Sequence, residues 1–444
     1  MPTVLEARSE IEAGRVSAVE LTEEALAAID RGRALNAYLH VDAEGALEAA
    51  RQADAALEDA KAHPLAGIPI CVKDMLHVSG MPTTAGAKGW VRHPTSDAPA
   101  VARLRAAGAV IVGKGNTNEF AFGIDGQNEH WGDCHNPHDP SRMSGGSTSG
   151  PATAAATGQA VAGIGTDTSG SLRAPASFCG LVSIRPTPGV VPTEGVVPLA
   201  WSYDTVGPIA RTVADASLLL EVLTGGRGEP APDQALTGVR VGLLEQFLGE
   251  DCSRGIAEAV RDAADRMASE GADVRPVAFP RLEEIGDAHR AIQFSEAAAT
   301  HRPWFDDQRL RYEAGVRERI ETGAALPAPD YVLARRTRAF VQDETAVVMS
   351  DLDVLIAPAM PVVAPPLGAE DVDIDGRSVP LRPALLTFTM PLTQPGGPVV
   401  AVPLGEADGL PFGLQIMGKP GADRQALGIA AAFRRLSGVG TPEP

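Results

Sequence analysis

The chain has 444 residues, with 38 basic and 57 acidic side chains and a formal net charge of −19. Apolar residues make up 44% and aromatics only 4%, while the 47 glycines and 36 prolines follow no repeat. A fibrous or disordered chain is thereby excluded, and a large buried core is expected. The acidic balance argues against direct contact with nucleic acid or an anionic membrane, which calls for clustered Lys and Arg.

Cys71, Cys134, Cys179 and Cys252 stand far apart with no CxxC pair, the usage of a reduced cytosolic protein. The N-terminal MPTVLEARSE has no basic region followed by an apolar run. No stretch approaches the roughly 18 uninterrupted apolar residues of a membrane span. A cytoplasmic chain is the expectation.

Residues 1–61 read as helical. Gly14 ends a first helix, Ser17 and Glu20 form a capping box for a second, and a third runs from Asp42 to just before Pro64. This layer holds no nucleophile beside a base and is expected to pack or to form a homodimer contact. From Leu65 short apolar runs alternate with Gly/Pro loops and helical stretches. The runs are PICVKD, AVIVGKG, VAGIGTD, LVSIRP, VRVGLLE, DVRPVAF, DVLIAP, PVVAVP and PFGLQIMG. Such runs fit strands covered on both faces, with helices at 212–223, 254–270 and 422–436. The expected class is α/β, a single large mixed β-sheet covered by helices on both faces. Residues 62–444 form one catalytic portion, with a mostly helical excursion at about 281–350 and an irregular Pro-rich stretch at 359–383.

The unusual segment is 144–180, with two small-residue clusters, Gly145-Gly146-Ser147-Thr148-Ser149-Gly150 and Thr166-Asp167-Thr168-Ser169-Gly170-Ser171. PATAAATG, a helix, and VAGIG, a strand, separate them, so both clusters fall at element ends facing one cleft. Glycine lets backbone N–H groups converge on a developing negative charge. A nucleotide-binding loop is the first competing use, but neither GxxxxGK[ST] nor GxGxxG after a strand is present. Ordinary turn chemistry is the second, because a serine without a base is no nucleophile.

The base is suggested by a scarcity. Only five lysines occur, and Lys73 lies inside the apolar run LAGIPICVKDML. A lysine ending a buried strand loses pKa to desolvation and becomes able to accept a proton. The plainer alternative is a lysine that snorkels outward or pairs with Asp74. Elsewhere, HWGDCHNPH gathers His130, Cys134, His135 and His138 within nine residues. Zinc tolerates that spacing, but no second ligand pair accompanies it, so a polar loop is expected and no metal.

Taken together, PICVKDMLHVSGMPTTAG, NPHDPSRMSGGSTSG, GTDTSGSLRAPASFCGLVSIRPTPG, VVPLAWSYDTVGPIARTVADA and GLPFGLQIMG resemble the amidase signature family of Ser–cisSer–Lys hydrolases. The likeness covers nearly the whole chain and is weakest over about 225–350. It implies Ser171 as nucleophile, Ser147 as bridging serine after a cis peptide with Gly146, and Lys73 as base. It implies an oxyanion hole of the backbone amides of Thr168, Ser169, Gly170 and Ser171, with Asp167, Arg173, Gly145 and Gly146 in support. Phe122, Gly123, Ile124 and Asp125, next to Phe120, occupy the segment that borders the substrate in this family. No metal or organic cofactor is implied.

Several positions depart from the family pattern. Thr148, Ser149 and Pro151 stand in a usual GGSSGGS, and Ser169 stands in a usual DTGGS. Thr393-Gln394-Pro395-Gly396-Gly397-Pro398-Val399 replaces a typical NLTGLPA. IDGRSVPLRP and GGPVVAVP are similar to the carboxybiuret-hydrolase branch. That likeness points to a small urea-like or acidic amide, with Arg382 meeting a carboxylate. The leading expectation is an amidase acting on a small carboxamide or urea-like C–N bond. The alternatives are a glutaminase-type subunit of a tRNA-dependent amidotransferase and a catalytically silent scaffold. The expected partner is a small-molecule amide, with no direct nucleic acid and no membrane.

Overall fold

The apolar runs between the Gly and Pro loops all become strands. Pro69–Lys73, Val110–Gly115 and Ala162–Asp167 are buried along their whole length. They show no alternation because helices cover both faces. The computed structural model describes residues 1–56, 63–232, 234–307 and 310–437.

Among these residues eleven strands form one mixed sheet. In spatial order they are Tyr38–Val41, Val110–Gly115, Pro69–Lys73, Ala162–Asp167, Thr205–Ala210, Val182–Arg185, Val399–Ala407, Leu410–Gly418, Val354–Pro358, Arg240–Leu244 and Asp273–Val277. Pro69–Lys73 lies parallel to both Val110–Gly115 and Ala162–Asp167. The α/β expectation holds. Tyr38–Val41 and Thr205–Ala210 carry no clear sequence signal. The first is a half-buried edge strand, and the second contains Gly207 and Pro208, which read as a turn.

In the N-terminal segment Ser17 caps Ala18–Arg31 with Glu20 completing the box, and Asp42 caps Ala43–Ala55. The rest of the third expected helix, and the boundary expected at 61/62, lie outside the described residues. Segment 1–61 is also not purely helical, since Tyr38–Val41 pairs with Val110–Gly115 and extends the main sheet. The excursion consists of the helices Leu282–His301, Ala314–Ala325 and Ala328–Val348.

The irregular stretch expected at 359–383 is partly ordered. Asp371–Ile374 and Arg377–Pro380 pair as a hairpin, turning on Asp375 and Gly376, both with positive φ. An Asp-Gly pair between short strands is the usual signal for such a turn. The helix Leu381–Thr393 follows, with Pro383 in its first turn and Pro391 near its end, both placed where few helix hydrogen bonds are lost. No helix among the described residues is long and apolar enough to cross a membrane.

Candidate active site

The parallel register of Pro69–Lys73 with Ala162–Asp167 brings the ends of both strands to one place. Lys73, the last residue of its strand, is fully buried. Its Nζ lies 2.8 Å from Ser147 Oγ and 2.8 Å from Thr166 Oγ1. Asp74 does not pair with it. Instead Asp74 Oδ1 holds Lys114 Nζ at 2.7 Å, and Asp74 Oδ2 accepts from the Thr84 amide at 2.9 Å and the Thr84 hydroxyl. Burial pushes Lys73 down to about 7, only partly opposed by Asp167 and Asp204. Near neutral pH a substantial fraction of this amine is uncharged.

The peptide between Gly146 and Ser147 is cis. The Gly146 N–H donates to Ile124 O at 2.8 Å, which ties the Ser147 loop to the Phe122–Asp125 segment. Gly145 packs against Ala174 and Pro175. The departure at Thr148 is accommodated by Gly165, where a Cβ would lie 2.1 Å from the Thr148 methyl. Thr148 in turn joins the two clusters, its amide donating to Ser171 O at 3.1 Å and its hydroxyl to Thr166 O at 3.1 Å.

Ser171 follows a loop anchored by Asp167. Asp167 Oδ1 accepts the Gly170 N–H at 2.8 Å and Oδ2 the Leu172 N–H at 3.2 Å. Arg173 grips both carboxylate oxygens at 3.1 Å, and Arg185 Nε lies 3.4 Å from Oδ1. All three side chains are fully buried. Burial alone would raise the Asp167 pKa, but the two guanidiniums outweigh it and hold the carboxyl below its ordinary value. Gly170 has φ +134°, and a Cβ there would meet Thr389 Oγ1 at 2.5 Å, so no other residue fits without displacement. Its N–H is committed to Asp167, which sets the Gly170 amide apart from the other three amides expected to form an oxyanion hole. The amides of Thr168, Ser169 and Ser171, and the Ser171 hydroxyl, have no protein partner among the described residues.

The expected substrate segment also gathers here. Phe122 is buried, with its ring 5.4 Å edge-on from Phe294, and Phe122 O accepts from Arg382 Nη1 at 3.3 Å. Asp125 Oδ1 accepts from Asn118 Nδ2 at 2.6 Å, and Gly123 lies against the same Asn118. Phe120 belongs to an aromatic cluster with Trp90, His301 and Tyr312, a packing role. Arg319, which has no sequence signal, stacks over the Phe122 ring at 5.0 Å with its buried Nε unpartnered. Burial, followed by the charge of Arg319, pushes Arg382 down to about 9 against the opposing pull of Asp125. Beside Phe122, then, one buried guanidinium nitrogen, Arg319 Nε, lacks an acceptor, although Asp125 and Glu313 act on Arg319 through space.

The His/Cys loop is dispersed. His130 contacts Glu119 at 3.2 Å, Cys134 Sγ donates to Thr153 Oγ1, His135 contacts Pro140 O and His138 contacts Cys179 O. Among the described residues no group of three His, Cys, Asp or Glu is placed to hold a metal ion.

The site is thus that of a hydrolase with a buried amine beside two small-residue loops, carried on a mixed α/β sheet. The Amidase family matches residues 20–427, and the chain belongs to that family, the amidase signature enzymes. It shares the family's chemistry, hydrolysis of amide C–N bonds. It is 36% identical to a glutamyl-tRNA(Gln) amidotransferase subunit from Salinispora arenicola, covering 97% of this chain and 96% of that one. A solved amidase is 35% identical with a TM-score of 0.93, covering 98% of this chain and 100% of its own. A third similar chain comes from a structure described as a vestigial protein complex that reveals the evolutionary origins of an s-triazine catabolic enzyme. That chain is 32% identical with a TM-score of 0.93, and each covers 100% of the other.

The amidotransferase relatives correct one expectation. Net charge led to the exclusion of nucleic-acid partners, but a chain this similar is named as one subunit of an enzyme acting on a glutamyl-tRNA. The total charge of one chain says nothing about an assembly in which another subunit holds the nucleic acid.

Proposed function

We propose that the chain hydrolyses a primary carboxamide or urea-like amide bearing a carboxylate, through an acyl-enzyme on Ser171. The contact of the buried Lys73 amine with Ser147 Oγ at 2.8 Å carries this reading. Neutral Lys73 takes the proton of Ser147 as Ser147 takes that of Ser171, whose Oγ bonds to the substrate carbonyl carbon. The negative charge that develops on the carbonyl oxygen meets the free amides of Thr168, Ser169 and Ser171. On collapse the C–N bond breaks, and the proton returns from Lys73 through Ser147 to the leaving nitrogen, releasing ammonia. Water then adds to the acyl carbon along the same proton path, freeing the carboxylate product and Ser171. No metal or organic cofactor takes part.

The base must be uncharged, so kcat/KM is expected to rise with pH through about 7, the value to which burial lowers Lys73, and then to level off. A pH profile that is flat between 5 and 9 would contradict this assignment of the base.

The unpartnered Arg319 Nε, with Arg382 beside it bonded to the Phe122 carbonyl, supports a substrate carboxylate. Succinamate and n-butyramide differ in that group. Arg382→Met and Arg319→Met should each lower kcat/KM for succinamate by about 10- to 100-fold, the worth of a charge-assisted hydrogen bond. Butyramide hydrolysis should change by less than about threefold. Equal losses on both amides would exclude a carboxylate seat.

A second reading has a specific observation behind it. The identity to the amidotransferase chain over nearly the full length of both favours a glutaminase-type subunit over a stand-alone amidase, reversing the ranking drawn from sequence. The likeness to the s-triazine-linked chain supports the urea-like option. Ammonia release from glutamine, from succinamate and from biuret, measured on the chain alone and with co-expressed partner subunits, separates the three. We also propose that segment 1–61 packs as a layer on the 62–444 portion. Four buried free cysteines support a reducing, cytoplasmic setting.

A further inference from the structure

Ser169 is a departure from the family pattern, and the structure surrounds it with donors. The helix Leu282–His301 supplies both of them. His289 Nε2 lies 2.6 Å from Ser169 Oγ, and Gln293 Nε2 donates to the same oxygen at 3.1 Å. Which way the His289 contact runs is decided on the far side of the ring. Gln394 Nε2 donates to Met390 O at 3.1 Å and sits 2.8 Å from His289 Nδ1, while Gln394 Oε1 accepts from the Tyr203 hydroxyl at 2.9 Å.

A backbone carbonyl only accepts, so the amide nitrogen of Gln394 must face Met390, and its second hydrogen then points at Nδ1. Nδ1 is therefore an acceptor, and the ring proton resides on Nε2, which donates to Ser169. Tyr203 stacks on His289 with centroids 4.4 Å apart and fixes the ring plane. Burial, with Arg338, Arg185, Arg173 and Arg382 nearby, pushes His289 down to about 3, so the ring stays neutral throughout the working range.

With His289 Nε2 and Gln293 Nε2 both directed at Ser169 Oγ, its own hydrogen is turned away from them, and no hydrogen bond from it is found among the described residues. Ser169 keeps 6% exposure, the same as Ser171 two residues on. We propose that the Ser169 hydroxyl is a side-chain donor to the reacting carbonyl oxygen, held in that role by the His289–Gln394–Tyr203 chain. It adds to the hole a donor where the Gly170 amide is committed to Asp167. The inference rests on the acyl-enzyme reading of Ser171. Ser169 is then a catalytic residue, while His289 and Gln394 are positioning residues.

The test compares Ser169→Ala, Ser169→Gly and Ser169→Thr for amide hydrolysis and for the rate of inactivation by a fluorophosphonate. Alanine and glycine should lower kcat about 10- to 100-fold, with KM within about twofold, and should slow inactivation in parallel. Threonine, which keeps the hydroxyl, should recover most of both rates. Gln394→Glu turns the donor at Nδ1 into an acceptor, reverses the ring tautomer and lets Nε2 capture the Ser169 hydrogen. It should match the alanine loss, and the Ser169→Ala/Gln394→Glu double variant should lose little more. Unchanged kcat and labelling in Ser169→Ala would overturn the proposal. So would a nitrogen-15 spectrum placing the His289 proton on Nδ1, a measurement that needs no substrate. If the unsubstituted chain neither hydrolyses amides nor reacts with the probe, the Ser171 reading fails, and the His289 spectrum still decides the Ser169 geometry.

Discussion

Replacing Lys73 with alanine is expected to lower kcat/KM by about 10³- to 10⁴-fold, the upper range for loss of a general base. The fold should survive, because an alanine in the fully buried strand Pro69–Lys73 leaves no charge unpaired. Asp74 keeps Lys114 as its partner, so no carboxylate is orphaned by the change. The natural control is His138→Ala. His138 contacts Cys179 O at 3.1 Å, at the foot of the polar loop, and lies outside the proposed relay. Its loss should cost less than about tenfold. Comparable losses in the two variants, measured as ammonia release on one amide, would point to histidine chemistry and away from an amine base.

The second large effect concerns stability. Arg173→Met removes the bidentate grip on Asp167 and the bonds of Arg173 to Thr389 O at 2.9 Å, Gln415 Oε1 at 3.2 Å and Thr393 Oγ1 at 2.8 Å. Asp167 would be left fully buried with Arg185 Nε, 3.4 Å from Oδ1, as its one remaining ion-pair partner among the described residues. Breaking one arm of a buried ion group costs about 3–5 kcal/mol, since the remaining charge stays desolvated. That loss should appear as a lowered denaturant midpoint, with activity falling as well, because Asp167 also fixes the Gly170 and Leu172 amides on either side of Ser171. A shift below about 1 kcal/mol would show that Asp167 is neutral in the fold and does not anchor the Ser171 loop as an ion.

These two expectations differ in how far they could be read from the sequence. Lys73, Ser147 and Ser171 stand in short segments whose composition is unusual in itself, and the strand and helix between the two serine clusters put them at one edge. The buried strands were equally readable, because a short apolar run without alternation, bounded by Gly and Pro, fits little besides a strand covered on both faces. The partners of Arg173 were not readable. Thr389, Thr393 and Gln415 lie more than 200 residues away on elements of ordinary composition. Lys114 capturing Asp74 likewise depends on the pairing of Pro69–Lys73 with Val110–Gly115, which no local pattern specifies.

Two misses have different causes. The hairpin at Asp375-Gly376 carried its signal in plain view, but the surrounding prolines obscured it. His289, Gln293 and Arg319 sit in the helical excursion, where the family likeness is weakest and the side chains look like any solvated helix face. Only the packing of that excursion over the Ser169 loop, for His289 and Gln293, and over Phe122, for Arg319, gives them a role. Ser169 itself was visible as a departure, whereas its two donors were not.

The central claim is an acyl-enzyme on Ser171 generated by an uncharged Lys73. It is tested most directly by treating the chain with a fluorophosphonate and locating the adduct by peptide mass spectrometry. One adduct per chain is expected, on Ser171, formed faster as pH rises through about 7, and strongly slowed in Lys73→Ala. Amide hydrolysis that persists with Ser171 unlabelled, or with the adduct on another residue, would contradict the claim.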